Sequence, residues 1–155
     1  MYFLIVLLLM FVAPIGSVYA EHLHSATPLI VLVGKWFVFW SVGVRLLLAG
    51  LRQYFQPSFT AKEIFHIEGD GVLLLVRELG IANFCAGVVG ILSLLYPAFV
   101  LPIALYAAIF YGIAGFRHIA EKNKSTNETI AMVSDLFAFV VLAGYVALTL
   151  PGLKS

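Results

Sequence analysis

Long apolar runs, broken by short polar connections, set the pattern of this chain. A bilayer core about 30 Å thick takes roughly 20 apolar residues per helix. Five segments come near that length: residues 2–20, 29–51, 72–95, 98–119 and 130–150. The uncharged run from Phe84 to Phe116 is split by Tyr96-Pro97. Proline suits a helix's first turn and disfavours helix in the residue before it. The third and fourth segments are therefore expected to form a tight antiparallel hairpin. Residues 1–20 end in Val18-Tyr19-Ala20, a small-residue pattern that suits signal-peptidase cleavage before Glu21. They carry no Lys or Arg and hold Pro14 and Gly16 within the run. Two fates stay open for them, a signal anchor or a removed signal peptide. The expected fold is an all-α membrane protein, a four-helix transmembrane bundle over residues 29–150 plus this N-terminal hydrophobic helix.

The longest connection follows the second segment. Gln56-Pro57 ends the helix, and Thr60 with Glu63 has the spacing of a capping box ahead of Ile64, Phe65 and Ile67. This predicts a short interfacial helix near residues 60–67. Glu128 suits the first turn of the fifth segment, capped by Thr126 or Asn127.

Composition agrees with the pattern. Of 155 residues, 63% are hydrophobic and 11% charged. A soluble domain is about half apolar and about a quarter charged. A water-soluble globule is excluded, because a chain this short cannot hide so much apolar surface. With 9 Lys+Arg against 8 Asp+Glu, there is no basic footprint for nucleic acid. The one cysteine, Cys85, excludes an intrachain disulfide and reads as a small packing residue. Lys and Arg in short loops set orientation. Arg52, Lys62 and Arg77 flank one connection and Arg117, Lys122 and Lys124 another. The opposite side has Lys35, the uncharged turn at Tyr96-Pro97, and Lys154. The basic loops are expected in the cytoplasm of a bacterium, with a multi-pass chain in the inner membrane and the C-terminus outside.

Chemistry is sought where polar residues interrupt the apolar segments. Arg45 and Asp135 fall roughly 8–10 Å from the cytoplasmic boundary at 1.5 Å per residue, with Glu78 slightly shallower. Asn83 lies a turn beyond Glu78, and His118 closes the fourth segment. Charges at such depth turn inward and pair. Small-xxx-small steps at Ala82/Ala86/Gly90 and Ala104/Ala108/Gly112 favour close helix contact. Arg45, Glu78, Asn83, His118 and Asp135 are therefore expected in one cluster, with Tyr111 on the His118 face. Glu78 and Asn83 point about 140° apart, so both face inward only if the third segment is enclosed. Glu78, His118 and Asp135 are the candidate catalytic groups, and Arg45, Asn83 and Tyr111 the candidate binding groups.

Each has a plainer role as well. Arg45 with Asp135 or Glu78 can be an ion pair that sets helix register. His118 can complement a helix dipole, and Asn83 can join helices. Trp36, Trp40 and Tyr111 suit interface anchoring or packing. His22 and His24, outside in a short loop, make only a weak case for a metal site. No metal-binding spacing such as HExxH is present, so no metal is assigned, although Glu, His and Asp are ligand types for a divalent ion.

The segments Lys35-Trp-Phe-Val-Phe-Trp, Arg77-Glu-Leu-Gly-Ile-Ala-Asn, Phe110-Tyr-Gly-Ile-Ala-Gly-Phe-Arg-His and Asn127-Glu-Thr-Ile-Ala-Met-Val-Ser-Asp-Leu-Phe resemble a family of small, uncharacterised bacterial inner-membrane proteins. That family is similar to the DoxX-like four-helix group through Glu-x-Gly-x-Ala-Asn, a glycine-rich fourth segment and a late Asp. The resemblance marks Glu78, Asn83, His118 and Asp135. It implies no settled activity; some DoxX-like proteins are associated with thiosulfate or quinone chemistry, yet this chain has no cysteine pair or cofactor motif.

Three functions fit. The first is an accessory or structural membrane subunit, whose aromatic face meets a protein partner or a second copy. The second is a small intramembrane enzyme or redox accessory acting on a lipid or quinone, with Glu78 or His118 carrying protons. The third, a proton-linked carrier, is disfavoured because the third segment beyond Asn83 is wholly apolar. The cofactor, if any, is left unknown.

Overall fold

The computed structural model describes residues 2–63, 69–122 and 124–150, and these form helices and short connections with no strand among them. The helices are α1 (Tyr2–His22), α2 (Leu29–Phe55), α3 (Pro57–Glu63), α4 (Asp70–Leu92), α5 (Val100–Ala120) and α6 (Thr126–Thr149). A 3-10 turn, Pro97–Phe99, leads into α5. Five helices, α3 aside, are long and apolar enough to cross a membrane. Large apolar side chains such as Leu74, Ile113, Val140 and Leu148 stand on the outer surface, where water would penalise them and lipid does not.

Helix ends differ from the apolar runs for a local reason in each case. Helix α6 begins at Thr126, earlier than hydrophobicity indicates, because Ser125 caps it. Glu128 N–H donates to Ser125 Oγ, and the Glu128 carboxylate accepts from Ser125 N–H in a reciprocal capping box. The cap is thus Ser125, not Thr126 or Asn127. Helix α4 stops at Leu92, where amides of Leu94 and Leu95 make tight three-residue bonds to Ile91 and Leu92. Gln56 leaves helical geometry before Pro57, and α3 starts at that proline. Thr60 is therefore a buried residue inside a helix and not its cap. Ile64, Phe65 and Ile67 lie outside the described residues, as does Lys154.

The packing order corrects the expected bundle. Helix α4 packs along α2 and α5 packs along α6, while α4 and α5 touch little beyond their turn. The shared apolar core comes from Val6 and Met10 of α1, Phe37, Val38, Val42 and Leu46 of α2, and many residues of α5 and α6, but from Ala86 alone on α4. Helix α1 is thus built into the core, and α4 is a flank rather than an enclosed span. The reason is the glycine pattern. Gly43 and Gly50 of α2 face Gly80, Gly87 and Gly90 of α4 backbone to backbone; a Cβ on Gly50 would stand 2.5 Å from Phe84 N, and one on Gly90 2.6 Å from Gly43 N. Lipid offers helices no hydrophobic drive to associate, so such close approach is what holds α4. Cys85, on the outer side of that helix, is exposed rather than packed.

Helices α1 and α2 run antiparallel and are joined by polar contacts along their length. Lys35 Nζ lies 2.7 Å from Glu21 Oε2, Trp36 Nε1 donates to the same oxygen, and Trp40 Nε1 donates to Ser17 Oγ. Both helices widen to a π-turn at one level, Leu8–Val12 and Val38–Val44. Pro14 explains the first. Ala13 N–H bonds to Leu8 O, five residues back, and Pro14 has no N–H, so Leu9 O is left without a backbone donor.

We expect Gly87→Ala, whose Cβ would strike the Leu47 backbone, to destabilise the protein by about 1–3 kcal/mol. Gly144→Ala, with open space around it, should be neutral or stabilising by up to about 1 kcal/mol. Unfolding in detergent compares the two; equal, small effects would rule out the close seam.

Candidate functional site

Arg45 occupies the centre of the polar interior. It sits one residue past the π-turn of α2, and its own N–H reaches back to Trp40 O rather than to Ser41 O. Ser41 O is thereby freed, and the Tyr111 hydroxyl of α5 donates to it. Arg45 NH1 donates to that hydroxyl oxygen at 3.2 Å, and NH2 pairs with Asp135 Oδ1 of α6 at 3.1 Å. The guanidinium also lies 5.3 Å from the Tyr111 ring centre. Ser41 Oγ completes the chain by donating to Leu9 O, the carbonyl that Pro14 leaves open. Tyr2 of α1 lies within electrostatic reach of the same guanidinium. Helices α2, α5 and α6 thus meet through one guanidinium, and α1 joins them through Ser41 and Leu9.

Its chemistry follows from donor and acceptor counts. Arginine is always charged and has only donors. The Tyr111 hydroxyl ends on Ser41 O and the Ser41 hydroxyl on Leu9 O, while Asp135, the carboxylate of the network, is held in the ion pair with Arg45. Burial of these charges is tolerated because each is paired and hydrogen-bonded.

The expected five-residue cluster separates into layers. Arg45 and Asp135 come together, with Tyr111 between their helices. Glu78 does not join them; it is exposed on the outer face of α4, and no bond to Arg45, His118 or Asp135 is present among the described residues. Asn83 is buried but donates to Gln53 Oε1 at 2.8 Å. Gln53 lies eight residues past Arg45 on α2, about 12 Å along the axis. Asn83 Oδ1 is buried and unpaired. Glu78 and Asn83 point apart as their spacing requires, and because α4 is a flank only Asn83 can turn inward.

His118 forms a second layer, seven residues after Tyr111, with Glu128 seven residues before Asp135; both steps are about 10 Å. His118 Nδ1 is 3.3 Å from Glu121 Oε2, while Glu121 Oε1 is 3.4 Å from Arg117. His118, Glu121 and Glu128 offer ligand atoms within 4.8 Å of one another, and these are the residues that could hold a divalent ion. Glu121 had no signal in the sequence beyond its charge. Ser41, Tyr2 and Gln53 were also missed, since their roles depend on a π-turn and on helix neighbours that no spacing reveals.

A family of unknown function, DUF6790, matches residues 1–153. The chain belongs to the DUF6790 family. No curated protein and no solved structure matches this DUF6790 chain.

Asp135→Leu should cost about 3–5 kcal/mol, because it strands a buried guanidinium. The double variant Arg45→Leu/Asp135→Leu should be more stable than either single variant. Unfolding of all four proteins in detergent forms the cycle; additive losses would mean that the pair does not couple the helices.

Proposed function

We propose that this DUF6790 protein is a non-enzymatic accessory or structural subunit of the bacterial inner membrane, and that its buried polar residues lock helices together rather than process a substrate. The observation that carries this reading is the closure of the Arg45 network on Asp135 and on backbone carbonyls. Each hydrogen bond found there ends on an acceptor of the fold itself. Of the two groups expected to carry protons, Glu78 stands apart on an exposed face, and His118 is buried against Glu121 in a layer of its own. A lateral groove of about 310 Å³ between α1 and α6 is lined by apolar groups such as Phe3, Val6, Phe11, Ile130 and Val133 with Thr129 and Ser134, and holds no titratable side chain. It suits an acyl chain and offers no acid or base.

In this reading the connections around residues 52–70 and 121–125 face the cytoplasm, in keeping with their Lys and Arg. Helix α1 works as part of the bundle, since Leu9, Ser17 and Glu21 each meet α2. The resemblance to the DoxX-like group carries no activity to this chain.

The test pairs stability with native mass spectrometry of the detergent-solubilised protein. Asp135→Asn should unfold at a clearly lower temperature with no stoichiometric small molecule lost, and Glu78→Gln should change stability by less than about 0.5 kcal/mol. A lipid, quinone or metal that travels with the parent but leaves Asp135→Asn at unchanged stability would overturn the structural reading in favour of a ligand site.

A further inference from the structure

A second groove, of about 600 Å³, opens where α2 ends, α3 crosses and α4 begins. Its lining includes Arg52 and Phe55 from α2, Phe59, Lys62 and Glu63 from α3, and Arg77 from α4. Three cations therefore converge from three separate elements against one carboxylate. Lys62 and Arg77 are exposed and make no ion pair among the described residues. Arg52 lies over the Phe59 ring, its guanidinium carbon 3.5 Å from the ring centre. A contact of that kind holds the guanidinium while leaving its edge donors available.

The place of the groove matters as much as its charge. It lies at the ends of two membrane helices, the depth at which phospholipid phosphates sit. Phe55, 73% exposed, stands beside the cations and supplies an apolar shoulder. Gln56-Pro57 breaks the chain so that α3 turns back to form the groove's other wall. Two arginine forks and an ammonium suit a phosphate, whose oxygens accept paired N–H donors. We propose that this groove binds the phosphate of an anionic phospholipid headgroup or a soluble phosphate of the same chemistry, through Arg52, Lys62 and Arg77. This site is independent of the Arg45 network and of the accessory reading built on it.

The full chain, purified in mixed micelles with equal parts phosphatidylglycerol and phosphatidylcholine, should retain the anionic lipid preferentially in native mass spectrometry. Each cation removed should weaken that preference about fivefold, the worth of one basic residue near a charged surface. Arg52→Gln/Lys62→Gln/Arg77→Gln should abolish it, and Lys122→Gln/Lys124→Gln, in the other basic connection, should leave it intact. Glu63→Gln should strengthen binding and gives an answer even if the triple variant fails to fold. Inorganic phosphate added alone distinguishes the sources: displacement of lipid at millimolar levels favours a soluble phosphate, and no displacement favours the headgroup. Equal losses from both sets of loop variants, or no gain from Glu63→Gln, would overturn the site.

Discussion

A guanidinium held out of water must find its counter-charge inside the fold, and that constraint organises this protein. Arg45 and Asp135 lie 3.1 Å apart on α2 and α6, and neither can be satisfied by lipid. Their meeting sets the rotation of both helices. It also draws Tyr111 of α5 to the guanidinium. The hydroxyl then takes the carbonyl that the widened turn of α2 leaves open. The π-turns are thus part of the site. Each exposes one carbonyl, and each carbonyl accepts a side-chain hydroxyl from a neighbouring helix. A regular α-helix at either place would hide the acceptor on which the other helix depends.

Around this centre the five membrane helices divide by the kind of force that holds them. Helices α1, α2, α5 and α6 share apolar core and the Arg45 network. Helix α4 joins through glycine contacts and one Asn83–Gln53 bond. This division explains why the expected polar cluster did not form as one unit. Glu78 and Asn83 belong to the flanking helix, and its inner face is occupied by glycine. His118 belongs to the core but one layer nearer the helix ends, where Glu121 and not Asp135 is its hydrogen-bonded partner.

Membership of DUF6790 extends over nearly the whole chain but brings no activity with it. The donors and acceptors of the Arg45 network join three helices directly, with Asp135 paired to the guanidinium and the two hydroxyls closed on backbone carbonyls.

The five helices of membrane-spanning length and the inward turn of Arg45, Asp135 and Tyr111 were legible in the amino-acid order, because depth and charge are one-dimensional quantities. An ionisable group far inside an apolar run must be buried whatever the topology. Pro14 was equally legible as a disturbance, though not as the source of an open carbonyl at Leu9. What tertiary structure alone decided was pairing: that α4 lies on α2 rather than on its chain neighbour α5, that α1 enters the core, and that His118 turns to Glu121. Helical period states which residues share a face, yet every face in a membrane is apolar enough to meet lipid or another helix. The choice between them rests on backbone fit, Gly43 against Gly90 and Gly50 against Phe84. That fit exists only when both helices are in place.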